Sequence, residues 1–145
     1  NFELDTRVPL IISAPGKTRG SRSDALVELV DLHPTLSELA GLPIHEGADG
    51  VSFANVVEDP SAPGEDAAFS QFPKGGLMGY TIRTANHRYT EWRPSKGGKI
   101  EATELYDYQD AQIETVNVAG EPQYQSIEQS MRKRLHQMIG RKSSN

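Results

Sequence analysis

The stretch FSQFPKGGLMGYTIRTANHRYTEW, residues 69–92, decides the fold of this chain because it predicts three consecutive strands joined by two turns. Residues 69–72 form a short run with an aromatic at each end. The segment Pro73-Lys74-Gly75-Gly76 has turn chemistry, since proline fixes φ and glycine permits positive φ. Residues 77–83 are apolar and β-branched, and residues 87–92 follow a two-residue alternation. The stretch therefore predicts a small antiparallel sheet.

The predicted sheet displays three basic side chains that are close together in sequence: Lys74, Arg83 and Arg88. A group of cations at a sheet edge is suited to meeting an anion. The alternative is that these residues are solvated, because charged side chains at strand edges ordinarily prevent sheets from associating edge to edge. The pattern alone favours the second interpretation and leaves the first as a hypothesis.

The composition excludes several classes of protein. The 145 residues include 15 Lys or Arg and 20 Asp or Glu, a net charge of −5, whereas nucleic-acid binders are usually basic overall. The chain has no cysteine, and so no disulfide, thiolate metal site or cysteine nucleophile of its own. No apolar run approaches the roughly 20 residues that span a bilayer. We therefore expect neither nucleic acid nor a membrane among its partners.

The first residues predict that the chain is part of a larger protein. Asn1 stands where a translation start has Met, and the apolar run VPLII at residues 8–12 predicts a strand buried on both faces of an α/β sheet. Such a strand needs a neighbour on each side, and the rest of the chain supplies few candidates. We therefore expect a fragment, with more of the protein preceding Asn1.

Residues 24–41, DALVELVDLHPTLSELAG, have the strongest periodicity in the chain. They predict a strand at residues 26–30 and then a short helix, with Asp31 as its N-cap and Gly41 just after its end. Three leucines share one face of this helix: Leu32, Leu36 and Leu39.

The remaining segments predict loops, one strand and one helix. Residues 42–64 read as a loop that ends in a unit boundary, DPSAPG at residues 59–64. Its predicted buried anchors are Val51, Phe53 and Val57. Residues 103–108 predict a strand, and residues 121–139 predict a helix that Gly140 ends. The apolar stripe of this helix predicts packing rather than a cofactor site: Tyr124, Ile127, Met131, Leu135 and Met138.

No complete active site is visible in the chain. The histidines, at positions 33, 45, 87 and 136, have no i, i+4 pair of the kind that binds zinc. Residues 50–54 lack the second glycine of a nucleophile elbow, and Gly-Lys-Thr at residues 16–18 lacks the upstream glycine of a P-loop. We therefore expect no catalytic residue and no metal ligand within this chain.

Five blocks of the chain together resemble the C-terminal part of sulfatases, and in particular of iduronate-2-sulfatase-like members. The blocks are NFELDTRVPLI, ALVELVDLHPTLSELAGLP, DGVSFANVV, FSQFPK with MGYTIRT and HRYTEW, and TELYDYQDAQIETVN. Their order and spacing agree over nearly all of residues 1–119. One departure is Ala111, where the family often has proline, and it affects a turn rather than the chemistry.

The resemblance implies an α/β fold, the C-terminal part of an alkaline-phosphatase-like sulfatase. Residues 1–63 would end the large α/β domain. Residues 64–145 would form a small C-terminal subdomain with an antiparallel sheet and a C-terminal helix. The resemblance also implies that a formylglycine nucleophile, a divalent metal that is usually calcium, and a catalytic lysine lie upstream of Asn1. A secreted, periplasmic or lysosomal location is implied only by the habit of the family.

The resemblance also suggests substrate contacts in this chain: Lys74, Gln71 and His87. Lys74 occupies the place where related enzymes have a basic residue on a loop that reaches the substrate, and lysine binds a carboxylate or sulfate as a point charge. Arg83 and Arg88 would instead pair with local acids such as Glu91 or Glu104. The segment SAPGK at residues 13–17 fits a sulfatase nucleophile motif only superficially, since it has lysine in place of arginine.

Three functions follow as hypotheses. The first is hydrolysis of a sulfate ester, on a sulfated saccharide with an acidic sugar, by a complete enzyme whose upstream N-terminal part is catalytic; this chain alone would be inactive. The second is a phosphonate or phosphate ester hydrolase of the same superfamily. The third is a non-catalytic carbohydrate-binding or structural module.

Overall fold

The computed structural model describes residues 2–17, 20–109 and 113–142, which form two compact units. We call residues 9–68 the loop unit, and residues 2–8 together with 69–142 the sheet unit. Ala111 lies outside the described residues. The assignment of residues 1–63 to a larger α/β domain and of residues 64–145 to a smaller subdomain stays a prediction.

The helices and strands follow one another in a mixed order. They are α1 (Glu3–Thr6), α2 (Leu32–Leu39), α3 (Ala54–Glu58), β1 (Ala68–Lys74), β2 (Leu77–Arg83), β3 (His87–Pro94), β4 (Ala102–Asp107) and α4 (Gln125–Lys142). Short 3-10 turns at Leu29–Asp31 and Pro122–Tyr124 precede α2 and α4. None of the helices in the described part of the chain is long and apolar enough to cross a membrane.

The sheet has four strands in the order β1-β2-β3-β4, and its first three strands are those predicted from residues 69–92. The turn between β1 and β2 depends on glycine, because Gly75 and Gly76 have φ values of 56° and 87°. Strand β2 pairs antiparallel with β3, and β3 with β4. The predicted strands at 69–72, 77–83, 87–92 and 103–108 are therefore confirmed, with small changes at their ends.

The core of the sheet unit lies between the sheet and α4. Ile82, Tyr89 and Leu105 sit opposite one another on neighbouring strands, so their side chains share one face of the sheet. All three are fully buried, as is Leu135 of α4, and Met131 is nearly so. We call this side the helix face. The apolar stripe predicted for α4 is confirmed as packing.

Helix α4 runs further than the sequence predicts. It begins at Gln125, after the 3-10 turn that contains Pro122, and continues through Gly140 to Lys142. Gly140 does not end the helix, because its φ is not positive. Glycine costs only about 1 kcal/mol relative to alanine inside a helix, which is too little to stop one by itself.

The predictions of a strand at residues 8–12 and of another at residues 26–30 are wrong. Residues 8–12 have no strand, and Ile11 is 90% exposed. Residues 26–30 have only an isolated bridge between Leu26 and Glu65, followed by the 3-10 turn. A buried strand needs a ladder of hydrogen bonds on each side, and neither segment has one within the described residues.

Helix α2 is confirmed, but its cap and its buried face are not as predicted. Gly41 follows the helix with φ +68°, and Leu42 N donates back to the Ser37 carbonyl, which closes the C-terminus. The Asp31 carboxylate does not cap α2; it accepts hydrogen bonds from Glu28 N at 2.7 Å and Val51 N at 2.9 Å. The buried residues of α2 are Pro34 and Thr35, while Leu36 is exposed.

The segment at residues 42–64 contains a helix that the sequence reading missed, α3. Phe53 is buried as predicted, and its backbone N donates to Thr35 Oγ1 at 3.0 Å. Val57 is half-buried, and Val51 is exposed, so the predicted anchoring role of Val51 is wrong. The apolar ANVV sequence is too short for helical periodicity to stand out.

Candidate functional site

Lys74 ends β1 at the glycine turn, where its side chain is exposed. Its ammonium Nζ lies 5.7 Å from the centroid of the Trp92 ring, within the range of a cation–π contact. Trp92 is itself oriented, because its Nε1 donates a hydrogen bond to Glu104 Oε1 at 3.0 Å. The turn therefore presents a positive charge over an aromatic ring that is held in place.

The other two predicted contacts lie elsewhere on the sheet. Gln71 is exposed on the same strand, but side chains alternate along a strand, so Gln71 and Lys74 point to opposite faces. His87 starts β3 next to the end of β2, so the length of β2 separates it from the Lys74 turn by about 20 Å at 3.3 Å per residue. The structure does not gather Lys74, Gln71 and His87 into one site, and their role in substrate binding stays a prediction.

His87 lies on the helix face and is mostly buried. Its Nε2 is 3.8 Å from Asp107 Oδ2, and Tyr124 OH donates to the same carboxylate oxygen at 3.2 Å. Among the described residues, His87 Nε2 has no hydrogen-bond partner. These surroundings are those of a side chain packed between the sheet and the turn that precedes α4.

The face opposite the helix carries a buried cluster of charges around Arg88, whose side chain is 1% exposed. Arg88 Nη2 donates to Glu3 Oε2 at 2.7 Å, and Arg88 Nε lies 2.9 Å from Glu114 Oε1. Arg83 Nε donates to the same Glu3 oxygen at 3.0 Å, and its guanidinium stacks 3.9 Å above the Tyr108 ring. The two arginines therefore pair with acids, as expected, but these come from distant segments and are not Glu91 or Glu104.

The charges in this cluster balance one another. Burial alone would raise the pKa of Glu3, but the hydrogen bonds from Arg83 and Arg88 outweigh it and hold that pKa below the usual value of 4.5. Burial and the bond to Glu114 raise the pKa of the Tyr108 hydroxyl. The two arginines are committed to carboxylates of their own chain, so they do not resemble cations reserved for a substrate.

A second buried carboxylate, Glu91, lies on the helix face and is fully buried. It accepts hydrogen bonds from Arg93 Nε at 2.9 Å, Tyr89 OH at 3.0 Å and His136 Nε2 at 3.0 Å. Burial would raise the pKa of Glu91, but these donors, Arg93 first, lower it overall. Burial also raises the pKa of Tyr89 to about 12. The cluster ties α4 to β3.

Comparison with known proteins identifies the family. Residues 1–141 match the family described as N-sulphoglucosamine sulphohydrolase, C-terminal. The chain belongs to this sulfatase family. The resemblance predicted from the sequence is thereby confirmed, together with the α/β fold of the C-terminal part of an alkaline-phosphatase-like sulfatase.

Individual sulfatases are similar over most of this chain. Iduronate 2-sulfatase of Mus musculus is 28% identical over 91% of the chain and 36% of its own length. Arylsulfatase K of Xenopus laevis is 27% identical over 95% of the chain and 27% of its own length. A solved structure of a protein in complex with its substrate D-glucosamine-2-N,6-O-disulfate superposes with a TM-score of 0.76 at 23% identity, over 89% of this chain and 27% of that one. The chain thus spans about a third or less of these relatives.

The residues of this sulfatase chain do not fit the metal and nucleophile that the family implies. Among residues 2–17, 20–109 and 113–142, no group of three His, Asp or Glu side chains is arranged to hold a metal ion. The chain also lacks cysteine.

The buried clusters of the sulfatase chain were not found by sequence reasoning. Glu3 and Arg88 are 85 positions apart, and Glu91 and His136 are 45 apart, so no local pattern links them. One signal existed. The predicted hairpin places Arg83 directly opposite Arg88, and two neighbouring cations on one face require a nearby anion.

Proposed function

We propose that this chain is the C-terminal part of a sulfatase that hydrolyses sulfate esters of a saccharide with an acidic sugar. The observation that carries the proposal is the match of residues 1–141 to a sulphohydrolase family. Two further findings support the substrate class. The similar curated proteins include iduronate 2-sulfatases, and the solved structure with the same fold has a sulfated glucosamine as its substrate.

We place the nucleophile, a formylglycine, and the divalent metal, calcium, on the remaining part of the protein. The chain covers only about a quarter to a third of its relatives, which leaves ample room for a catalytic part. In this proposal the catalytic part covers the apolar side chains that the loop unit exposes. They are Leu10, Ile11, Leu29, Val30, Leu36, Leu42, Ile44 and Val51.

In this proposal Lys74 contributes a positive charge to the substrate pocket. It differs from Arg83 and Arg88 because its ammonium is exposed and lies over an aromatic ring, whereas the two guanidinium groups are paired with buried carboxylates. An ammonium on a flexible stem binds a sulfate or a sugar carboxylate without a fixed orientation. Lys74 would thus favour anionic substrates without entering the chemistry.

The test of Lys74 is a comparison of Lys74→Gln with Lys96→Gln in the complete protein, with sulfate release measured on a sulfated uronate substrate. Lys96 is an exposed lysine in the turn after β3 and serves as the matched control. We expect Lys74→Gln to raise KM about fivefold with little change in kcat, since a charge contact is worth about 1 kcal/mol, and Lys96→Gln to have no effect. Equal KM values for the two variants would remove Lys74 from the site.

The reaction class is tested separately. We expect the complete protein to release sulfate from the sulfated sugar much faster than phosphate from the matching phosphate ester, and the chain of residues 1–145 to release neither. Faster phosphate release would favour the phosphate ester hydrolase instead. Turnover by residues 1–145 alone would show that the catalytic groups are misplaced in this proposal.

A further inference from the structure

Helix α4 has a charge opposite to that of the rest of the chain. Its 18 residues contain five Lys or Arg and one Glu, a net charge of +4. The other residues contain ten Lys or Arg and 19 Asp or Glu, so the helix stands out against an acidic background. Packing explains only the apolar stripe of α4, because the stripe residues Met131 and Leu135 face the core.

A second stripe on α4 lines a shallow surface depression: Gln129, Arg132, Lys133, His136 and Gln137. These positions follow the spacing i, i+3, i+4, i+7, i+8, so they form one continuous row on the helix. At a rise of 1.5 Å per residue the row is about 12 Å long. We call it the α4 groove.

The α4 groove presents Arg132, Lys133 and His136 at its surface and keeps its acids beneath. The side chains of Arg132 and His136 are 42% and 46% exposed, whereas those of Glu91 and Glu128 are 0% and 12% exposed. The acids below accept hydrogen bonds from Arg132 and His136 and lower the net charge of the groove. Lys133 adds an exposed ammonium at the surface of the groove.

Two side chains of the groove, Arg132 and His136, are held in fixed positions. Arg132 Nε donates to Tyr89 OH at 3.0 Å, and Arg132 Nη2 donates to Glu128 Oε1 at 2.8 Å. His136 Nε2 lies 3.0 Å from both oxygens of Glu91 and carries the donated proton, because a carboxylate only accepts. Fixed donors lose less conformational entropy when they bind an anion.

We infer that the α4 groove binds the sulfate and carboxylate groups of a sulfated oligosaccharide, at a site distinct from the one that contains Lys74. The two sites are on opposite faces, since Lys74 lies over Trp92 on the face with Arg88, while α4 covers the helix face. The choice of ligand rests on the proposed function. The groove would hold a long substrate chain, and a monosaccharide substrate would not need it.

The experiment adds negative charge to the groove without removing a structural contact. Gln129 and Gln137 are exposed lining residues, and the double variant Gln129→Glu/Gln137→Glu keeps their size. The matched control is Gln125→Glu, which makes the same change on the same helix outside the depression. A third variant, Lys133→Gln, removes a groove cation. Each is made in the complete protein and titrated with a heparin-derived hexasaccharide and with its desulfated form.

We expect the double variant and Lys133→Gln to weaken hexasaccharide binding about fivefold at low salt, because each exposed charge contributes up to about 1 kcal/mol, and salt should reduce the difference. Gln125→Glu should bind as the unaltered protein does, and the desulfated form should bind weakly to all four proteins. Unchanged hexasaccharide affinity in the groove variants would overturn the inference.

A second measurement separates this inference from the proposed function. Sulfate release from a sulfated monosaccharide should be the same in all four proteins, because that substrate reaches only the catalytic site. If the unaltered protein releases no sulfate but binds the hexasaccharide through the groove, the proposed function is wrong and the inference about the groove is retained. If sulfate is released but the groove variants bind the hexasaccharide normally, the inference about the groove is wrong and the proposed function is retained.

Discussion

The sheet unit and the loop unit differ in the size of the apolar side chains that they bury. The sheet unit places five large side chains between its sheet and α4, each at most 4% exposed: Ile82, Tyr89, Leu105, Met131 and Leu135. The loop unit buries Phe53, Val56 and two alanines, and both units expose larger apolar side chains, eight in the loop unit and seven in the sheet unit. Since burial is the main favourable term in folding, we expect the core of the sheet unit to contribute more to stability than that of the loop unit.

The two units also differ in how they use ion pairs, and this gives the largest expected effect. Arg88 in the sheet unit is buried with Glu3 and Glu114, whereas Lys17 in the loop unit pairs with Glu58 in an exposed position. Removal of one partner from a buried pair leaves an uncompensated charge. Arg88→Met should therefore lower the free energy of unfolding by about 3–5 kcal/mol.

Urea unfolding of the 145-residue chain measures this effect, and Lys17→Met is its matched control. An exposed pair contributes about 0–1 kcal/mol, so the control should unfold almost as the unaltered chain does. Similar losses in the two variants would mean that the contrast between the units is not one of burial.

A leucine substitution in each unit tests the same difference in burial. Leu135 is fully buried in the sheet unit, and Leu36 is 58% exposed in the loop unit. Leu135→Ala should cost about 2–5 kcal/mol from lost burial and the cavity that remains. Leu36→Ala should cost well under 1 kcal/mol in the 145-residue chain, because little apolar surface is lost from the interior.

The complete protein offers the stronger form of this test. If the catalytic part covers the loop unit, as proposed, then Leu36 becomes buried and Leu36→Ala should cost more there than in the 145-residue chain. An equally small cost in both would indicate that the exposed face of α2 is not where the partner docks. Thermal unfolding of the two proteins with the same substitution decides between these outcomes.

The same contrast explains how much of the structure could be predicted from the sequence. The three strands and turns of residues 69–92 were predicted because a hairpin sets its own pairing through alternation and turn residues. The run at residues 8–12 has the composition of a buried strand, yet it has no partner strand in the described residues. Composition reports that a segment is apolar, whereas a partner decides whether it becomes a strand.

The candidate site, too, could be predicted from the sequence only in part. Lys74 was singled out by the family resemblance, and the structure adds its contact with Trp92. The clusters of Arg88 and Glu91 could not be predicted, because their partners come from distant segments of the chain. The α4 groove could not be predicted from the run Arg132-Lys133-Arg134, because its depression depends on how α4 lies on β3.

Acid should destabilise the sheet unit through its buried carboxylates. The pKa of Glu91 is lowered in the folded chain, so the unfolded chain binds a proton more readily near pH 4.5. The stabilisation is therefore present above about pH 4.5 and is lost as the pH falls through the lower, folded value. The urea midpoint should be flat from pH 7 to 5 and should fall below that.

Variants of two acids test whether burial causes this pH dependence. Glu91→Gln should lower stability at pH 7 and flatten the decline in acid. Asp59 in the loop unit also has a lowered pKa, from its bonds to Ser61, but it is fully exposed, so Asp59→Asn should leave the decline unchanged. A decline that Glu91→Gln leaves intact would point to Glu3 as its main source.

Two helix glycines give the smallest and most local contrast. Gly41 follows α2 with φ +68°, whereas Gly140 lies within α4 at a φ that is not positive. An added Cβ meets no atom within 4 Å at either position, so steric clashes do not complicate the comparison. Gly41→Ala should therefore lower the free energy of unfolding by about 1–2 kcal/mol, the cost of a left-handed alanine, while Gly140→Ala should raise it by up to about 1 kcal/mol.

Urea unfolding of the two variants measures these effects. Shifts of the urea midpoint in opposite directions would show that the backbone conformation, and not the presence of glycine, decides where a helix ends. A loss of stability in both variants would mean that α4 effectively ends before Gly140 in solution.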